Sequence, residues 1–145
     1  MCSRALTIGA LAEQTGCNVP TIRYYEEIGL LPPARRRPGG HRFYSEDDLR
    51  QLTFIRRCRD FGFSVEQVRT LVSLAQDPDR DCNETRDLAQ AHLAEVRRKL
   101  IELRALESSL EAFVDNCTAA CAGGPASQCT ITQDLTGPRG SRCCG

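Results

Sequence analysis

The residues with the greatest chemical reach in this chain are its cysteines and arginines. Nine cysteines stand at positions 2, 17, 58, 82, 117, 121, 129, 143 and 144, and six of them lie from Cys82 onward. Cys117 and Cys121 are one helical turn apart, and Cys129 follows after seven intervening residues. Thiolates at such spacing select soft or borderline cations such as Zn, Cd, Pb, Hg and Cu(I). The pattern is not the close thiol cluster of a redox iron–sulfur centre. The arginines are equally uneven: eight fall between Arg35 and Arg59, against only Glu46, Asp47 and Asp48. Lys99 is the single lysine, so nearly every cation is a planar guanidinium suited to bidentate contact with phosphate. A local basic stripe of this kind is the footprint of a polyanion partner.

The chain's 145 residues suit one domain with an appendage, and its 19 basic and 19 acidic side chains cancel overall. The cancellation hides two halves: residues 1–75 hold 11 Arg against 8 Asp/Glu, net +3, while residues 76–145 hold 8 basic against 11 acidic, net −3. A charged fraction of 26% with 41% hydrophobic residues argues against disorder. No apolar run approaches the roughly 20 residues of a spanning helix, and Met1–Leu6 lacks the apolar core of a secretory signal. A cytoplasmic protein with no membrane partner is expected. Cytosolic thiols stay reduced, so the cysteines call for a role other than disulfides. Cys17 and Cys58, among apolar neighbours, suit small core positions.

The elements that must position these groups are mostly helical. Thr7 can cap a helix over Ile8–Glu13 that ends at Gly16. Asn18 before Val19-Pro20-Thr21 suits the start of a second, stopped by Gly29. Two short helices joined by a tight Gly-containing turn outline a helix-turn-helix. Pro32-Pro33 breaks the chain, Arg35–Gly40 is basic and extended, and His41–Tyr44 forms a short strand, making a hairpin or wing. Ser45 with Asp48, and Ser64 with Gln67, are capping boxes opening two further helices, to about Asp60 and Gln76.

The polar stretch from Asp77 is a linker. Beyond it, Ala89, Leu93, Val96, Leu100, Leu103, Leu110, Val114, Cys117 and Cys121 alternate at spacings of four and three, with Glu107 the misfit. That heptad phase predicts a coiled-coil seam on a helix of roughly 55 Å at about 1.5 Å per residue. Such a helix exceeds what the small N-terminal domain can cover, so its stripe packs on a second copy. The fold expected is mainly α. A winged helix-turn-helix domain occupies 1–76, a linker 77–82 and an antiparallel dimerisation helix 83–119. A metal-binding loop with a short helix follows at 120–135, then a Cys-containing tail at 136–145. His92 beside the seam is expected to pack rather than to ligate.

Two constellations carry chemistry. In the second helix of a helix-turn-helix, N-terminal side chains meet base edges and phosphates. Thr21, Arg23, Tyr24 and Tyr25 on that helix, Arg36, Arg42 and Tyr44 on the wing, and Arg56 beyond it form the candidate DNA surface. Cys82, Cys117, Cys121 and Cys129 are the candidate metal ligands. Either Cys117 or Cys121 serves as the first ligand of the loop, or both do. A thiol-redox sensor or a metal-buffering protein is the alternative. No Gly-rich phosphate loop, Ser/His/Asp set or carboxylate pair marks an enzyme.

Several segments then resemble the MerR family of transcriptional regulators: Leu6–Ala12, Val19–Glu26, Gly29–Pro32, Gly40–Tyr44, Leu52–Arg59 and Gly62–Val68. The resemblance covers roughly residues 6–131, with helix-turn-helix, wing and dimer helix in order. It implies a homodimer on double-stranded promoter DNA whose spacer is overlong, with metal binding rotating the two heads so that RNA polymerase engages. Within that family a Cys at the start of the dimer helix is similar to the sensors of divalent ions, whereas monovalent sensors carry Ser. Cys82 therefore implies a divalent soft metal ion (Zn, Cd, Pb or Hg), shared between Cys82 of one subunit and Cys117 and Cys129 of the other. Cys121 and the longer Cys117–Cys129 loop depart from the pattern, whereas the tail thiols Cys143 and Cys144 resemble the C-terminal thiols of some divalent sensors in the family and suit auxiliary metal capture.

Overall fold

The computed structural model describes residues 5–120 and 123–137. Each early helix begins where a side chain satisfies an orphan amide. Thr7 Oγ1 accepts from Ala10 N (3.2 Å) at the start of α1 (Ile8–Thr15), and Asn18 Oδ1 accepts from Thr21 N (2.8 Å) at the start of α2 (Val19–Glu27). Reciprocal capping boxes, Ser45 with Asp48 and Ser64 with Gln67, open α3 (Glu46–Asp60) and α4 (Val65–Gln76). Between α2 and α3 lies the wing. Strands β1 (Arg35–Arg36) and β2 (Arg42–Phe43) pair antiparallel, Arg35 opposite Phe43 and Arg36 opposite Arg42. An isolated bridge from Leu6 to Tyr44, with bonds of 2.9 and 2.8 Å, ties the wing's end to the chain's start.

The core gathers Leu11 of α1, Ile22 and Tyr25 of α2, Leu30, Leu31, Tyr44, Leu52, Ile55 and Cys58 of α3, and Val68, Leu71 and Val72 of α4. Most are fully inaccessible, so the hydrophobic term here is close to its full side-chain value of roughly 1.5–3 kcal/mol each. Cys58 is a buried core thiol, and Cys17 packs partly buried against the same cluster.

Gly16 closes α1 at φ 65°, where an added Cβ would overlap the Arg56 guanidinium. That guanidinium donates from Nη1 to Thr15 O at 2.6 Å, capping the carbonyl end of α1 from α3. Arg69 of α4 does the same for Ile28 O at the end of α2 (2.7 Å), while Arg59 bonds Phe63 O in the turn between α3 and α4 (2.6 Å). These contacts turn part of the basic stripe into fastening between helices.

Helix α5 runs unbroken over Cys82–Ala120, followed by a 3₁₀ turn (Ala126–Gln128) and α6 (Thr130–Thr136). Cys82 is thus the helix's first residue rather than the last of a linker. The reason is local: Asp81 accepts from the Asn83 backbone N–H (2.9 Å) and side-chain amide (2.6 Å), and Arg80 pairs with Glu84. Two compact units divide within this helix, Met1–His92 and Leu93–Gly145. The first unit claims the opening of α5 because Leu88 packs on its core and His92 is buried there. His92 stacks on Phe63 (4.2 Å between ring centroids), and its Nε2 lies 2.9 Å from Phe61 O. In the second unit Leu93, Val96, Leu100, Leu103, Leu110 and Val114 are all exposed in the single chain. Among the described residues no helix is long and apolar enough to cross a membrane.

Candidate nucleic-acid interface and thiol site

On α2, Arg23 and Tyr24 are exposed and Thr21 is half-buried, so these three present to solvent along the helix that the turn places second. On the wing, Arg36 and Arg42 are exposed and directly paired across the ladder, with Arg35 and Arg37 beside them. Arg37 sits over the Phe43 ring at 5.5 Å. The hairpin turn closes with Gly40 N donating to Arg37 O (2.9 Å), at a φ of 87° that glycine alone adopts without strain. A compact, mostly guanidinium surface results, with α2 and the wing as its two projecting elements.

Two of the predicted DNA contacts are corrected by burial. Tyr25 is only 7% exposed and belongs to the core. Burial pushes its hydroxyl pKa up, against Arg59, which lowers it. Tyr44 is wholly inaccessible. Burial and the hydrogen bond to Glu26 push its pKa up to about 12, while Arg42 and Arg23 oppose that rise. Neither ring can meet a duplex. Arg56 is engaged by Thr15 O and lies 3.6 Å from the Asp60 carboxylate, so its guanidinium fastens α3 to α1. Aromatic residue type signalled a surface role at Tyr25 and Tyr44; only tertiary packing reveals otherwise.

Sequence reasoning missed Glu26. This half-buried carboxylate on α2 accepts from Tyr44 Oη and from Ala34 N, both at 2.9 Å and both on Oε1. Its signal was present as an acid on the helix that carries Arg23.

The thiol site is partly assembled. Cys117, near the end of α5, and Cys129, immediately before α6, bring their sulfurs to 3.5 Å. The backbone N–H of Thr132, the Cys117 thiol and the backbone N–H of Ile131 lower the Cys129 pKa from its ordinary value, favouring thiolate. Two adjacent sulfurs, one predisposed to ionise, form a donor pair that fits a soft cation. Among the described residues, no three His, Cys, Asp or Glu side chains gather into a metal-holding group. Cys82 is exposed at the opposite end of α5. Cys121, Cys143 and Cys144 lie outside the described residues.

The chain is similar to known proteins. Residues 6–74 match the family described as MerR HTH family regulatory protein, and residues 49–113 match MerR, DNA binding. The HTH-type transcriptional regulator HmrR of Rhizobium leguminosarum bv. viciae is 41% identical over 131 residues, covering 90% of this chain and 98% of HmrR. The chain belongs to the MerR family. It is accordingly a DNA-binding transcriptional regulator and not an enzyme. Among solved MerR-family structures, PbrR691 from Ralstonia metallidurans CH34 in complex with lead(II) is 38% identical with a TM-score of 0.76, covering 90% of this chain and 98% of that one. HiNmlR, a MerR family regulator lacking the sensor domain and bound to promoter DNA, is 25% identical with a TM-score of 0.57, covering 81% and 95%.

Proposed function

We propose that this MerR-family regulator is a homodimeric, metal-responsive transcriptional activator whose inducer is a thiophilic divalent ion: Zn, Cd, Pb or Hg. The observation that carries the proposal is the Cys117–Cys129 pair at 3.5 Å beside a lowered Cys129 pKa. Cys82 begins the same helix, thirty-five positions before Cys117. At about 1.5 Å per residue that is roughly 52 Å of helix, so a site using both takes them from two chains. The exposed seam Leu93–Val114 supplies the pairing surface for the second chain, and Cys121 is a further candidate ligand. PbrR691, solved with lead(II), supports a divalent inducer.

A divalent soft ion, when bound, supplies the charge that holds thiolates of two chains together. The arginines of α2 and the wing hold the promoter, as the DNA complex of HiNmlR supports. Thiol capture favours the dimer conformation that rotates the two DNA-binding heads, kinking the duplex until RNA polymerase can use its overlong spacer. For capture to change transcription, the ion must bind the active conformation more tightly than the inactive one, since equal affinity shifts nothing. The shift needed is modest, because bending a promoter site smoothly costs about 1–6 kcal/mol. Products under such control are metal-resistance or efflux genes.

The test is transcription in vitro from a promoter bound by the reduced dimer, with DNA distortion read by footprinting as Zn, Cd, Pb, Hg, Cu(I) or Ag(I) is added. Activation by one or more of the divalent ions, lost in Cys82→Ser and Cys129→Ser, is expected. Response to Cu(I) or Ag(I) alone would overturn the divalent assignment. Response to none would overturn metal sensing. The sulfur separation also favours a second reading, since two thiols 3.5 Å apart can close a disulfide with a small movement. Activation by mild peroxide in the presence of a chelator would establish that redox role instead.

A further inference from the structure

The wing is too small to hold its own orientation. Its two strands contribute two residues each and two paired positions, and an isolated hairpin even of ordinary length is marginal in water. Something outside the ladder must fix it. Ala34 immediately precedes β1 and Tyr44 immediately follows β2, so these residues are the two feet of the hairpin. Both feet donate to the same atom, Oε1 of Glu26 on α2.

We infer that Glu26 is the positioning residue that locks α2 and the wing into one DNA-reading head. A carboxylate on the helix that carries Arg23 repels phosphate, which argues against a role in holding DNA directly. Its acceptor capacity is turned inward instead, where bonds to an ionised acceptor are about twice as strong as neutral ones. Tyr44 is fully buried and is held from its other side by the Leu6 backbone. Releasing Oε1 therefore loosens the Ala34 foot, while burial and the Leu6 bridge keep the Tyr44 foot in place, so the wing can swing about one side. The arginines of the wing then lose their fixed distance from Arg23, and with it simultaneous contact with one duplex. This inference rests on the proposal that Arg36 and Arg42 meet phosphate.

The experiment measures salt-dependent affinity of the full dimer for a duplex selected from a random pool by the unmodified protein. Four variants are compared: Glu26→Ala, Glu26→Gln, Tyr44→Phe and the double variant Arg36→Ala/Arg42→Ala. Each phosphate contact contributes about 0.9 to the slope of log affinity against log salt. Because each variant alters both subunits of the dimer, the double variant is expected to lower that slope by about 3.6, and Glu26→Ala by at least ~1.8 with about tenfold weaker binding at low salt. Glu26→Gln keeps a neutral acceptor at the same place, so its slope stays that of the unmodified protein and its affinity is equal or higher. Tyr44→Phe removes one foot and falls between.

An unchanged slope in Glu26→Ala, with a lowered slope in the double variant, would overturn the role of Glu26 alone. Failure of Glu26→Gln to restore the slope would do the same. An unchanged slope in the double variant would overturn the phosphate contacts of the wing, and the inference with them. If Glu26→Ala does not fold, Tyr44→Phe decides: a lowered slope supports the lock and an unchanged one overturns it.

Discussion

Cys129 shows how a few local donors change what one side chain can do. The Thr132 amide, the Cys117 thiol and the Ile131 amide all favour its thiolate. A thiol whose pKa is lowered becomes nucleophilic at lower pH, so alkylation of metal-free, reduced protein should pass its half-maximal rate below pH 9.0, the ordinary thiol value. Cys117→Ala should move that midpoint upward, because it removes the side-chain donor facing Cys129. The check is a pH–rate profile of iodoacetamide labelling, read at Cys129 by peptide mass mapping. A midpoint at or above the ordinary value would remove the electrostatic case for this pair. The same preference sets the sign for metal uptake: less proton release is needed at Cys129, so capture should persist further into mildly acidic solution than at an unassisted thiol.

Between helices, the carbonyl ends matter as much as the capped beginnings. Arg56 reaches from α3 to the last carbonyl of α1, and Gly16 leaves the space it needs. Gly16→Ala should destabilise the fold by about 1–2 kcal/mol from left-handed backbone strain alone, plus the cost of displacing Arg56. Arg56→Met should cost about 1.5–3 kcal/mol as a lost charged hydrogen bond, at the low end because the side chain is 40% exposed. In the double variant the displacement no longer exists, so the two effects should sum to more than the measured total. Urea unfolding of the four proteins checks this, and strict additivity would show that Arg56 and Gly16 are independent. Much of this architecture was legible in the sequence. Thr7, Asn18, Ser45 and Ser64 announced four helix starts, since capping depends on residues within one turn. The heptad likewise announced the long helix. The roles of Tyr25, Tyr44 and Arg56 were not legible, because burial and carbonyl capping depend on partners up to 41 positions away. Glu26 escaped notice for the same reason: its partners are 8 and 18 residues distant. At the thiol site, the pairing of Cys117 with Cys129 followed from the resemblance, whereas spacing alone left Cys121 equally eligible.

For the molecule as a whole, the charge division into a basic first half and an acidic second half now has a physical meaning. The arginine excess lies with the wing, where Arg35, Arg36, Arg37 and Arg42 have no acid among them, and the Cys117–Cys129 pair and exposed apolar seam lie on the unit that begins at Leu93. Cys82 and the Cys117–Cys129 pair occupy opposite ends of one continuous helix. Under the proposed ligand set, each site is a joint property of two copies of the chain. A chain bearing Cys82→Ser and a chain bearing Cys117→Ser/Cys129→Ser should each be silent when expressed alone. Co-expressed, they should form hybrids in which one complete set is rebuilt and the other is lost entirely, restoring part of the metal response in a reporter strain. Absence of any such rescue, with hybrids confirmed by differential tagging, would mean that every ligand comes from a single chain. The long helix thereby turns a biochemical question about coordination into a genetic one: two defective alleles should complement.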